Sequence, residues 1–254
     1  MVAKVISVTS TKGGVGKTFL TVNLGAALKY YFNKEVLIID ANISAPNLAL
    51  NLGIVNPSIS FQDVINNKNK EIRLGDSIEK TKYIDLIASR IGQEVSNKNY
   101  NLKEELTELK KIYDFILLDT SPNMNWETKM ALDASDTVIL VSNPDTFSIS
   151  NLISLIKNLE KENYNIEGIV LNRVLGKDFE IKSHEVEELT KINVLQEIPF
   201  SVKVFESLAF TEPIVYYKPY SKVSRSIRSL AEKISGERYK SSLTEKILEF
   251  LFGW

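Results

Sequence analysis

The chain has 254 residues, 31 basic and 32 acidic, with a formal charge of −1, no cysteine and one histidine. That length suits one large domain with a sizeable core, and 44% apolar with 25% charged residues is ordinary for a soluble globule. The missing cysteines exclude disulfides, iron–sulfur clusters and thiolate zinc; a lone His184, placed on a polar helix face, excludes histidine-cluster metals; the balanced charge excludes a global field toward nucleic acid. No charged-then-apolar leader opens the sequence, and no apolar run reaches the roughly 18 residues of a spanning helix, so a cytoplasmic protein is expected.

Taken in order, residues 5–8 read as a buried strand and residues 19–28 as a helix. Between them lies Ser10-Thr11-Lys12-Gly13-Gly14-Val15-Gly16-Lys17-Thr18. Strand, glycine-rich turn and helix form the context of a phosphate-binding loop. Gly13, Gly14 and Gly16 permit a turn whose N–H groups point inward, and the helix start adds unpaired N–H groups and a positive dipole end. Lys17 is placed to reach β- and γ-phosphates, and the Thr18 hydroxyl to bind Mg²⁺. The strict P-loop pattern fails at Thr11, where glycine is usual.

Residues 34–40 form a second buried strand ending in Asp40, the end at which parallel sheets hold ligands. Asp40 has two readings: holding a Mg²⁺-bound water, or capping the next helix, a task open also to Ser44 or Asn47. Residues 46–82 read as short helices and loops, with helical spacing over 60–65 before a polar run at 66–70. Residues 83–88 form a strand, and residues 102–112 an amphipathic helix with Leu102, Leu106, Leu109 and Ile112 on one face. Four apolar residues then lead into Asp119, a Walker B pattern whose acid would bond Thr18 or a Mg²⁺ water. Trp126 stands at a helix start, as either a partner contact or a packed core residue. Strands follow at 136–142, 166–173 and 194–199, with a helix over 148–159. The alternation implies an α/β, doubly wound, mostly parallel sheet with helices on both faces.

The variant Lys12-Gly13-Gly14-Val15-Gly16-Lys17-Thr18, with its extra lysine, resembles the MinD/ParA family of deviant Walker A ATPases, and the likeness runs over roughly residues 1–235. It implies ATP and Mg²⁺ as cofactors and an ATP-sandwiched homodimer in which Lys12 contacts phosphates across the interface. It further implies nucleotide contacts from residues 12–19, with Phe19 contributing its backbone N–H where the family often has a hydroxyl, and metal contacts from Thr18, Asp40 and Asp119. Asn172, ending its strand beside Arg173, matches the family's adenine reader; a plain turn residue is the other reading. Pro199 and the loop 200–203 match the second adenine-side loop. The segment 40–48 resembles the first switch region, where the family has Asp-x-Asp and this chain has Asn42. An amide can accept from an attacking water but carries no charge and takes no proton at neutral pH, so hydrolysis is expected to be slow or partner-dependent. In the second switch loop, 120–125, Ser121 and Asn123 replace a usual proline and a small residue.

Two tail features follow. Residues 221–240 read as a basic helix, with six Lys or Arg against two Glu from Lys222 onward and an apolar docking face of Val223, Ile227, Leu230 and Ile234. Residues 243–254 place Leu243, Ile247, Phe250, Leu251 and Trp254 on one helical face, which Phe252 widens, resembling the C-terminal membrane-targeting helix of MinD-type proteins. Docking on the chain's own globule is the alternative. The expected organisation is an ATPase domain over 1–240 and a membrane-surface helix over 241–254, with an unidentified protein activator or cargo. A ParA-like partition ATPase using its basic helix on DNA, and a non-hydrolysing nucleotide scaffold, are the competing readings.

Overall fold

The computed structural model describes residues 2–67 and 71–252. Its sheet contains β1 (Lys4–Thr9), β2 (Val36–Asp40), β3 (Ile78–Lys80), β4 (Asp85–Ile87), β5 (Phe115–Asp119), β6 (Thr137–Ser142), β7 (Ile166–Val174) and β8 (Val194–Pro199). They lie in the order β3-β4-β2-β5-β1-β6-β7-β8, with β3 antiparallel to β4 at one edge and the other pairings parallel. The central strands are continuous apolar runs because both faces of the sheet are covered. Alternation divides them: Ile6 and Val8 of β1, with Ile38 of β2, join one core; Val5, Leu37 and Ile39 join the opposite one.

Helices α1 (Lys17–Phe32), α8 (Ile214–Tyr217) and α9 (Lys222–Ser235) cover the first face. The second carries α2 (Phe61–Asn66), α3 (Leu102–Leu109), α4 (Trp126–Ala134), α5 (Thr146–Lys161) and α6 (Ser183–Thr190). Because α1 is buried on nearly every side, its sequence is apolar all round rather than striped. The chain goes from β5 on one side of β1 to β6 on the other. The crevice at the carboxyl end of β1 is therefore the switch point of the sheet, where α/β folds hold ligands.

The structure corrects several expectations. Strand β3, three residues long and half exposed, has no periodicity to reveal it. Helix α3 stops at Leu109, which leaves Ile112 exposed in the following turn rather than on the apolar face. Val202 and Lys203 belong to the first turn of α7 (Val202–Ala209), capped by Ser201, so only the first half of the expected loop 200–203 is loop. The basic helix ends at Ser235, where Gly236 takes a left-handed C-cap at φ 72°. Trp126 packs partly buried against the core, while His184 lies exposed on α6.

Helix α10 (Leu243–Phe252) forms as expected and docks through the side opposite its apolar face. Glu249 pairs with Arg228 of α9 at 2.8 Å, and the Tyr239 hydroxyl donates to Glu245 at 2.6 Å. The Arg228 guanidinium lies over the rings of Tyr31 and Tyr239. Leu243, Ile247, Phe250 and Leu251 face solvent. The side chain of Phe252 and residues 253–254, Trp254 included, lie outside the described residues. No described helix is long and apolar enough to cross a membrane.

Candidate functional site

The loop between β1 and α1 turns left-handed at Gly14 (φ 79°) and Gly16 (φ 103°). A Cβ on Gly16 would collide with the Asn172 side-chain amide at 2.1 Å, so glycine is required there on two counts. Gly13, Gly14, Gly16, Lys17, Thr18 and Phe19 line a cleft of about 580 Å³, whose far wall includes Asn42, Asn47, Pro122 and Arg173. An adjoining hollow of about 60 Å³ lies between Gly16, Phe19, Asn172, Pro199 and the inner side of α7.

Lys17 is buried at the start of α1, and its Nζ donates to Ser10 Oγ at 3.0 Å. Burial lowers its pKa, partly offset by the charge of Asp119. The Thr18 hydroxyl bonds Asp119 Oδ2 at 2.6 Å and Asn47 Oδ1 at 2.9 Å. Asp40 and Asp119 are register partners at the ends of β2 and β5, and both are fully buried. Burial pushes the Asp119 carboxyl up to about 6; burial and then the neighbouring Asp119 push Asp40 well above the usual carboxylate range. Two adjacent buried carboxyls beside one lysine leave the site short of positive charge.

Asp40 also organises the loop after β2. It accepts from the backbone N–H groups of Asn42 (3.3 Å), Asn47 (3.2 Å) and Leu48 (3.0 Å). These donors all precede the 3₁₀ turn Ala49–Leu52, whose cap residue, Leu48, has no side-chain cap, so Asp40 fastens the loop rather than capping a helix. Asn42 Nδ2 donates to the Ala45 carbonyl at 2.7 Å. An aspartate at this position would set an oxygen against that carbonyl. Asn42 Oδ1 and Asp119 Oδ1 are buried without a partner.

A Mg²⁺ nucleotide fits this arrangement. The orphaned Asp119 oxygen, the Thr18 hydroxyl and Asp40 offer a hard oxygen donor set. No group of three or more His, Cys, Asp or Glu among the described residues could hold a metal alone, which is usual where phosphates complete a Mg²⁺ site. When bound, the cation would neutralise phosphate charge beside Lys17. Asn172 Nδ2 donates to the Val15 carbonyl at 2.7 Å and so braces the glycine loop. Val15 is buried beneath it, and Lys12 stands exposed outside the cleft wall, within electrostatic reach of Asp145.

Ser10, Asn47 as a partner of Thr18, Arg173 and the α7 wall were not singled out for these contacts from sequence. Ser10 had a signal in its place at the motif's start. The others depend on contacts between distant segments.

A lysine and hydroxyl under a left-handed glycine turn, facing a strand-end carboxylate, define the P-loop class of nucleotide-binding proteins. A family model described as an AAA domain matches residues 3–168. An uncharacterized ATP-binding protein of Methanocaldococcus jannaschii is 28% identical, over 99% of this chain and 95% of its own. The sporulation initiation inhibitor Soj of Bacillus subtilis is 30% identical, over 91% and 98%. The septum site-determining protein MinD of Pyrococcus horikoshii, solved in complex with Mg-ADP, superposes with a TM-score of 0.84 at 29% identity, over 91% and 96%. The chain belongs to the MinD/ParA family of P-loop ATPases.

Proposed function

We propose that this chain is a MinD-like switch that binds Mg-ATP in the cleft, closes into an ATP-sandwiched homodimer and attaches reversibly to a membrane through α10. Lys17 and the N–H groups of residues 13–19 hold the phosphates, and Thr18, Asp40 and Asp119 hold Mg²⁺. Lys12, exposed outside its own cleft, reaches the nucleotide of a second copy. Asn172, Pro199 and the hollow beside α7 receive the base. Asn42 stands where the reacting water is oriented, and without a charge it makes hydrolysis slow or dependent on an activator. The dimer positions a division, motility or envelope complex from the cytoplasmic face.

The observation that carries the membrane reading is the orientation of α10. Its two acids are turned onto Arg228 and Tyr239, and four large apolar side chains are turned out. Partial insertion of a few such side chains, at roughly 1.5–3 kcal/mol each less immobilisation costs, binds one copy weakly. Two helices on one dimer gain about 10²–10⁴ in avidity, which ties attachment to the ATP state. The DNA-binding alternative needs a row of available cations on α9, but Arg228 is engaged by Glu249 and Lys233 by the Leu195 carbonyl.

Co-sedimentation with anionic liposomes tests this reading, comparing the full chain with a truncation after Lys240 in Mg-ATP and in Mg-ADP. ATP-dependent pelleting that truncation abolishes is the expected result. No pelleting in any state would refute membrane attachment, and salt-dependent DNA binding by the ATP form would favour the partition reading.

A further inference from the structure

Glu127 lies in the first turn of α4 and is 1% exposed. Its carboxylate accepts from the Ser44 N–H (3.0 Å), the Ser44 hydroxyl (2.5 Å) and Asn125 Nδ2 (2.8 Å). It therefore ties the loop after β2 to the loop after β5, 83 residues apart in sequence. A buried carboxylate satisfied by three donors makes a stiff joint, because letting any donor go leaves charge unsolvated.

Ser44 sits between Asn42 and Ala45, the two residues joined by the Asn42 Nδ2 bond to the Ala45 carbonyl. With Ser44 held, Ala45 is held, and the Asn42 amide is folded inward. Its other end, Oδ1, is shut away from solvent without a donor, although Asn42 lines the cleft. Evolved sites seldom leave a buried acceptor orphaned unless another arrangement satisfies it.

We propose that Glu127 is a positioning residue that holds Asn42 in this withheld orientation, so that the acceptor for a water in the cleft is released only when the two loops part. This rests on the ATPase reading above. The joint also carries the state of the cleft to the surface, since Asn125 caps the helix that Trp126 opens.

The test compares the full-length chain with Glu127→Gln, Ser44→Ala and the double variant Glu127→Gln/Asn42→Ala, all in a Trp254→Phe background that leaves Trp126 as the sole tryptophan. ATP turnover, nucleotide affinity by equilibrium binding and Trp126 emission are measured. Glu127→Gln is expected to raise kcat about three- to tenfold with affinity unchanged within about twofold, and Ser44→Ala to do the same more weakly. Adding Asn42→Ala should cancel the gain, a dependence that a merely structural role of Glu127 would not produce. Trp126 emission of nucleotide-free Glu127→Gln should shift toward the wild-type value in Mg-ATP. An unchanged or lowered kcat, a gain that survives Asn42→Ala, or Trp126 emission indifferent to both nucleotide and variant would overturn the proposal. Should Glu127→Gln fail to fold, Ser44→Ala decides. A wild-type chain that binds no nucleotide would defeat the ATPase reading instead.

Discussion

The molecule contains two pairs of carboxylates that the fold treats in opposite ways. At the carboxyl end of the sheet, Asp40 and Asp119 are fully buried side by side, with one lysine nearby and one Asp119 oxygen unpartnered. At the tail, Glu245 and Glu249 are only partly buried, and each has a dedicated partner in Tyr239 or Arg228. The tail pair is complete as it stands, and its work is to orient a helix. The sheet pair is incomplete, and it is stable only because the surrounding strands over-determine it. Incompleteness of this kind marks a place where a ligand supplies the missing charge.

The largest effect should come from relieving the incomplete pair. Asp119→Asn keeps an acceptor for the Thr18 hydroxyl and removes one buried charge. The sign follows from the raised pKa. The folded chain keeps the Asp119 proton up to about pH 6, while the unfolded chain loses it near 4. Folding without nucleotide therefore takes up a proton between those values, and stability falls as pH rises through that window, with Asp40, raised by the same burial, adding to the fall. Asp119→Asn should flatten this fall and raise nucleotide-free stability above pH 6 by on the order of 2 to 3 kcal/mol, read from thermal melts across pH. The same variant should weaken Mg²⁺-dependent nucleotide binding by about a hundredfold. A melt profile identical to wild type would break the contrast between the pairs.

The sequence carried much of this. Seven of the eight strands were legible, the central ones as continuous apolar runs, because a strand buried on both faces needs nothing but apolar residues. The glycine loop, Lys17, Thr18, Asp40 and Asp119 were legible because their chemistry is written at the ends of those runs. What escaped is what distant segments create together. Glu127 reads locally as an ordinary first-turn acid, and nothing near it announces Ser44. Asp40 was read as a choice between cap and metal site, yet one carboxylate accepts three loop N–H groups while facing Asp119. The acids of α10 carry no local sign of the side to which they turn. Their turn toward Arg228 depends on the aromatic rings of Tyr31 and Tyr239, one of them on α1.

A smaller effect tests the complete pair. Arg228→Ala should free α10 from the body while leaving the cleft intact. The ion pair is mostly buried, at 16% and 12% side-chain exposure, so its loss should cost about 1–3 kcal/mol in the docking of α10. Because α10 is the last helix described, that cost should appear as local release rather than global unfolding. Hydrogen exchange should show amides 243–252 losing protection, with nucleotide affinity within about twofold of wild type. Exchanging the charges, Arg228→Glu with Glu249→Arg, should restore part of the protection. Unchanged exchange in Arg228→Ala would mean that other contacts hold the helix.

The smallest effect on folding is the sharpest reading of what the tail is for. Phe250 is 75% exposed, so Phe250→Ser removes almost no packing and should change thermal stability by less than about 0.5 kcal/mol. The same substitution removes the largest described side chain of the outward face, at a transfer value of roughly 1.5–3 kcal/mol for full burial in an apolar phase. In the proposed ATP dimer the loss counts twice, so liposome binding should fall by about the square of the single-helix fold-change. A variant that folds like wild type and no longer pellets would place the value of Phe250 outside the fold, at a membrane. One that melts several degrees lower would show that Phe250 packs against the body after all, and that α10 is a structural tail.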